Sequence, residues 1–133
     1  MAAMKEIAVV AFSQSDCLAR AGAANEVELI MPQLRAVFGQ VGLNNAQDVD
    51  FVCSGSCDYM QGAAFAFVAG VDALGAVPPI KESHVEMDAA WALYECILKI
   101  SMGQAESALI YGFGKASSGE LPTVLSQQLD PYY

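Results

Sequence analysis

Basic side chains are scarce in this chain, and that scarcity is the first constraint on what it binds. Six Lys and Arg stand against fifteen Asp and Glu, a formal charge of −9. A phosphate backbone is held by clustered cations, whereas Lys5, Arg20, Arg35, Lys81, Lys99 and Lys115 are scattered along the sequence. A nucleic-acid partner is therefore not expected. Long apolar runs are missing too: none reaches the roughly 18 residues that cross a bilayer, so no membrane span is expected. The opening MAAMKEIAVVAF sets one lysine beside a glutamate and passes straight into a strand pattern, unlike a signal peptide. Histidine is almost absent, with His84 the only one. Cys17, Cys53, Cys57 and Cys96 show no disulfide framework and read as free buried thiols of a reducing cytoplasm. Cys53 and Cys57 lack the further ligands a metal site needs, so no metal is expected.

Charge of either sign is thin as well, at 16% of residues against 55% apolar. A freely soluble monomer carries more, so part of the surface is expected to be covered by another subunit or by the rest of a longer chain. The length of 133 residues suits one domain with a real core.

What is present alternates between strand and helix patterns. Met4 to Phe12 reads as an internal strand, nearly all apolar and β-branched, and Ser13 to Ala24 as a loop. Asn25 is placed to cap a helix whose apolar face is Val27, Ile30, Met31, Leu34, Val37, Phe38 and Val41, with a bend or break expected at Pro32 and a stop at Gly42. Asn44 to Gln47 reads as a turn, Val49 to Val52 as a strand, Ser54 to Tyr59 as a loop, and Gly62 to Leu74 as a close-packed helix. Val77, Pro78 and Pro79 then forbid helix and open an extended segment from Ile80 to Glu86. Asp88 caps a helix running from Ala89 to Ile100 that has almost no polar face, only Glu95 and Lys99, and so is expected to be buried on most sides. Gly103 stops it, and Ala108 to Tyr111 is a buried strand. The order predicts an α/β layer with a mainly parallel sheet, a buried central helix and flanking helices.

The stretches AQDVDFVCSG and VPPIKESHVEMDAAWALYECILKISMGQAESALIYGFGK resemble the first half of the thiolase superfamily, in the branch of lipid-transfer proteins related to sterol-carrier-protein thiolases. The resemblance implies a layered αβαβα enzyme of two similar halves, of which residues 1–133 are the amino-terminal one. The second half, with the family's histidine-glycine and cysteine-glycine motifs, is then absent from this sequence. It further implies action on acyl-CoA thioesters, with coenzyme A as part of the substrate and no other cofactor, and assembly as a homodimer or a thiolase-like heteromer. The strand before the catalytic turn pairs across the subunit boundary in thiolases, so Glu82 to Glu86 is expected near an interface.

In that family the turn before the buried helix carries a nucleophilic cysteine, whose thiolate and oxyanion are favoured at a helix N-terminus. Matching AAWAL to the motif places Glu86 at that position, or Met87 in the neighbouring register. Neither is a thiol. Branch members without the cysteine resemble retro-aldolases that cleave β-hydroxyacyl-CoA intermediates of steroid side-chain breakdown, working with an acyl-CoA-binding partner built from an OB-fold and a zinc ribbon. The resemblance leaves open two alternatives: acetyl-CoA acetyltransferase chemistry with a cysteine from the second half, and a non-catalytic subunit of a thiolase-like complex.

Three residues are candidates on chemical grounds. A carboxylate at Glu86, buried among Val85, Met87 and Trp91, is suited to acid/base work, or else complements the positive end of the helix. His84 is a proton donor or thioester ligand, or a hydrogen-bonded structural group. Met87 holds the alternative register. Lys81, Glu82 and Lys115 are either contacts for a subunit or CoA phosphates or solvated charges. GFGK at Gly112 to Lys115 is not a phosphate loop, since Leu109 and Ala116 stand where a glycine and a Ser or Thr are required.

Overall fold

In the computed structural model, Asn25 opens the first helix in the way its short side chain predicts. Its Oδ1 accepts from the Glu28 amide and the Glu28 carboxylate accepts from the Asn25 amide, both at 2.8 Å, so two orphan donors are satisfied reciprocally. The structure describes residues 6–17, 22, 24–57, 61, 67–75, 81–115, 120, 122 and 126. Helix α1 (Glu26–Val41) runs unbroken through Pro32, where a bend or a break is expected. Pro32 and Glu28, whose carbonyl would otherwise bind an amide at position 32, are both exposed, so the lost bond costs less than in a core. Gly42 ends the helix with a φ of 73°, a left-handed conformation that suits glycine.

A short 3₁₀ turn, Ala46–Asp48, leads into β1 (Phe51–Ser56). Helix α2 (Phe67–Leu74), strand β2 (Glu82–Glu86), helix α3 (Ala89–Ser101) and strand β3 (Ala108–Gly112) follow. The strands form a parallel sheet in the order β2-β1-β3, as the alternation of patterns predicts. One face packs Val52, Leu109 and Tyr111 against Ile30, Leu34 and Phe38 of α1 and Leu74 of α2. The other packs Phe51 and Cys53 against Ala92 and Cys96 of α3. No helix among the described residues is long and apolar enough to cross a membrane.

Register is pinned at both ends of the β1–β3 pair. At the start, one Asp50 oxygen accepts from the amides of Glu106 and Ser107 at 2.9 and 3.0 Å and from the Ser107 hydroxyl at 3.1 Å. At the end, fully buried Gln61 donates to the Phe113 carbonyl at 2.6 Å and accepts from the Lys115 amide at 3.0 Å.

Four expectations are corrected. Residues 6–12 pair with no strand, and Val9 and Val10 are 75% and 78% exposed. β-branched residues favour extended backbone, but a strand also needs a neighbour; here Gln40 instead brackets Phe12, accepting from its amide at 3.2 Å and donating to its carbonyl at 2.9 Å. Met4 and Lys5, the start of that expected strand, lie outside the described residues, as do residues 62–66 of the expected second helix. Ser54, Gly55 and Ser56 belong to β1 and not to a loop. Their small size serves packing: a methyl on Gly55 would lie 2.7 Å from the Ala89 amide nitrogen, and one on Gly112 would lie 2.6 Å from the Ala89 Cβ. Helix α3 is not enclosed by the described residues. Only Ala92 and Cys96 are buried, while Trp91, Tyr94, Leu98 and Met102, at helical spacing, are exposed. Finally, Cys53 and Cys96 are buried but Cys17 is exposed and Cys57 only half-buried.

Candidate functional site

Parallel pairing puts residues of equal register side by side on one sheet face. His84, Ser54 and Tyr111 are such a row, one from each strand. Ser54 Oγ lies 2.8 Å from His84 Nδ1, and His84 Nε2 lies 3.1 Å from Glu86 Oε2. Two sequence candidates, His84 and Glu86, are thus brought into direct contact at the carboxyl end of β2. The residues are two apart on a strand, so they share a face.

The surroundings fix the row from above. Phe67 of α2 stacks on the His84 ring at a centroid distance of 4.4 Å and an interplanar angle of 17°. Gly70, one turn on, leaves room for the Tyr111 phenol, since a methyl there would come within 2.5 Å of its oxygen. Burial pushes the Tyr111 hydroxyl up to about 12, against the opposing effect of the Ser54 hydroxyl beside it. Ser54 is 4% exposed, so the open end of the row is Glu86. The chemistry available at this row is proton transfer at its outer end.

Glu86 is exposed and not buried among Val85, Met87 and Trp91 as expected. The reason is geometric: β2 is an edge strand and Trp91 is half out of the protein. Met87 is exposed and takes no part in the row. Beside it, Asp88 caps α3 by accepting from the Ala90 and Trp91 amides at 2.9 and 3.3 Å. A carboxylate therefore occupies the helix N-terminus where an oxyanion is otherwise favoured.

The remaining charged candidates lie elsewhere. Lys81 and Glu82 line an open hollow of about 410 Å³ at the amino ends of the strands, together with Phe51, Lys99, Gln104 and Ala105. Lys99 sits over the Phe51 ring at 5.5 Å. The Lys115 ammonium donates to the Ala24 carbonyl and so ties the end of β3 to the start of α1. On the opposite sheet face Cys53 and Cys96 pack in one cluster, and the influence of each thiol on the other lowers that of Cys53 and, with burial, raises that of Cys96. Ser54 and Tyr111 were not legible as site residues, because what joins them to His84 is register across three strands. In comparisons with protein-family models, curated proteins and solved structures, nothing matches this chain.

Proposed function

We propose that this chain is the half of a thiolase-like enzyme that carries the catalytic turn, acting on acyl-CoA thioesters as a retro-aldolase in lipid or steroid side-chain degradation in the cytoplasm. The observation that carries the reading is the Glu86–His84 contact of 3.1 Å at the position where the resemblance puts a nucleophilic cysteine. A hydrogen-bonded carboxylate and imidazole suit proton transfer and not acyl-enzyme formation. Asp88 across the helix N-terminus supports the same choice against acyltransferase chemistry at this turn.

The step balances without an external oxidant. Glu86 takes the proton of the β-hydroxyl group, the bond between the α and β carbons breaks, and the β carbon leaves as an aldehyde or ketone. The electron pair stays on the α carbon as a thioester enolate, which takes up one proton to give the shortened acyl-CoA. Incubating the full-length protein with a β-hydroxyacyl-CoA, in the presence of the acyl-CoA-binding partner, tests this. A carbonyl product that is lost in Glu86→Gln supports it; covalent acylation of a single cysteine overturns it in favour of an acyltransferase.

The exposed row Trp91, Tyr94, Leu98 and Met102 favours a second reading, a non-catalytic subunit whose α3 face docks on an active thiolase-like partner. Obligate isolation as a stoichiometric complex, with silence of this chain beside an intact partner, is its signature. Either way an assembly covers α3, and the free edge of β2 is the place for subunit pairing. Cross-linking from position 83 that yields only intramolecular products would contradict that placement.

A further inference from the structure

Ser54 sits behind the proposed acid/base pair, and with a neutral imidazole the hydrogen-bond inventory of the three side chains allows a single ordering. An ionised Glu86 only accepts, so the nitrogen facing it must carry the proton. That nitrogen is Nε2. A neutral imidazole has one N–H, so Nδ1 is left as an acceptor, and the Ser54 hydroxyl 2.8 Å away must donate to it.

We infer that Ser54 is a positioning residue that locks His84 in the Nε2–H form, so that its proton holds the Glu86 carboxylate as a ready acceptor. The chain of donors runs Ser54 to His84 to Glu86, from the closed interior to the strand end. Two features hold it in place: the shared register of β1 and β2 and the Phe67 ring stacked on the imidazole. A second-layer donor that fixes a tautomer is how enzymes keep an imidazole in one role. The catalytic meaning of the lock rests on the retro-aldolase reading; the lock itself does not.

His84 is the only histidine, so its ring nitrogens are identified without assignment by mutagenesis. The test is ¹⁵N NMR of the labelled full chain at pH about 9, where an ordinary imidazole is neutral. The expected spectrum shows pyrrole-like Nε2 and pyridine-like Nδ1, with Nδ1 displaced toward the hydrogen-bonded acceptor value. Ser54→Ala returns Nδ1 to the value of an unbonded acceptor and Ser54→Thr restores it. In the β-hydroxyacyl-CoA assay, Ser54→Ala lowers kcat about tenfold at unchanged KM, a part of the 10²–10⁴ that acid/base groups supply. An Nδ1–H tautomer, an even mixture, or an Nδ1 signal indifferent to Ser54→Ala in a folded variant overturns the inference. The predicted spectrum in a protein without lyase activity upholds the lock and counts against the reaction class.

Discussion

Gly55→Ala probes the packing that carries the turn before α3. The added methyl would sit 2.7 Å from the Ala89 nitrogen, against 3.4 Å or more for an ordinary contact. The first turn of α3 must therefore retreat by about 0.7 Å at that atom, and further at the Asp88 carbonyl. Both partners are backbone, so no side-chain rotation relieves the clash. Overpacking of this kind costs about 1–3 kcal/mol, and backbone on both sides sets the expectation at the upper end, about 3 kcal/mol. At roughly 4 °C per kcal/mol for a domain of this size, the melting temperature falls by about 12 °C. Gly39→Ala is the control: it lies inside α1 with nothing within 4 Å of the added methyl. There alanine lowers the entropy cost of the helix, a gain of about 0.5–1 kcal/mol and a rise of about 2–4 °C. Thermal unfolding followed by circular dichroism separates the two. A Gly55→Ala protein melting within about 2 °C of the parent would refute the close approach of α3 to β1.

Two further perturbations follow from the pins on the sheet. Replacing Gln61 by Leu strands the Phe113 carbonyl and the Lys115 amide, each costing about 1–3 kcal/mol when left unpaired in the interior; an unchanged urea midpoint would show that water or another group takes over. At Asp50 the amide of Glu106, then the amide and the hydroxyl of Ser107, hold the carboxyl below its ordinary value of 3.8. A lowered folded pKa means stability that is present above the unfolded value and lost as pH falls through the folded one. Asp50→Asn is thus expected to be less stable than the parent at pH 7, with the gap closing as pH drops below 3.8. A gap that widens in acid has the wrong sign for this account.

Local chemistry was the legible part of the fold. Asn25, Gly42, and Asp88 before Ala89 declare helix ends within a few residues, and Ala108 to Tyr111 reads as a strand from composition alone. Ile7 to Phe12 has the same composition and is no strand, because pairing depends on a neighbour that no local pattern names. Ser54 to Ser56 look like turn formers in isolation; the crossing of α3 over Gly55 and Gly112 is what demands small residues there. The apolar circumference of α3 states which surface needs cover, and the exposure of Trp91 shows that the described residues do not provide it. Likewise His84 and Glu86 were visible as candidates two residues apart, whereas Ser54 and Tyr111 joined them only through a register set by Asp50 and Gln61 at the two ends of the sheet.

The most direct measurement is product analysis with a β-hydroxyacyl-CoA and the full-length protein with its partner present, comparing the parent with Glu86→Gln. The account predicts release of an aldehyde or ketone together with a shortened acyl-CoA, reduced about 10²-fold or more by the substitution. Equal product from both proteins, or acyl transfer onto a cysteine with no carbonyl released, would contradict it.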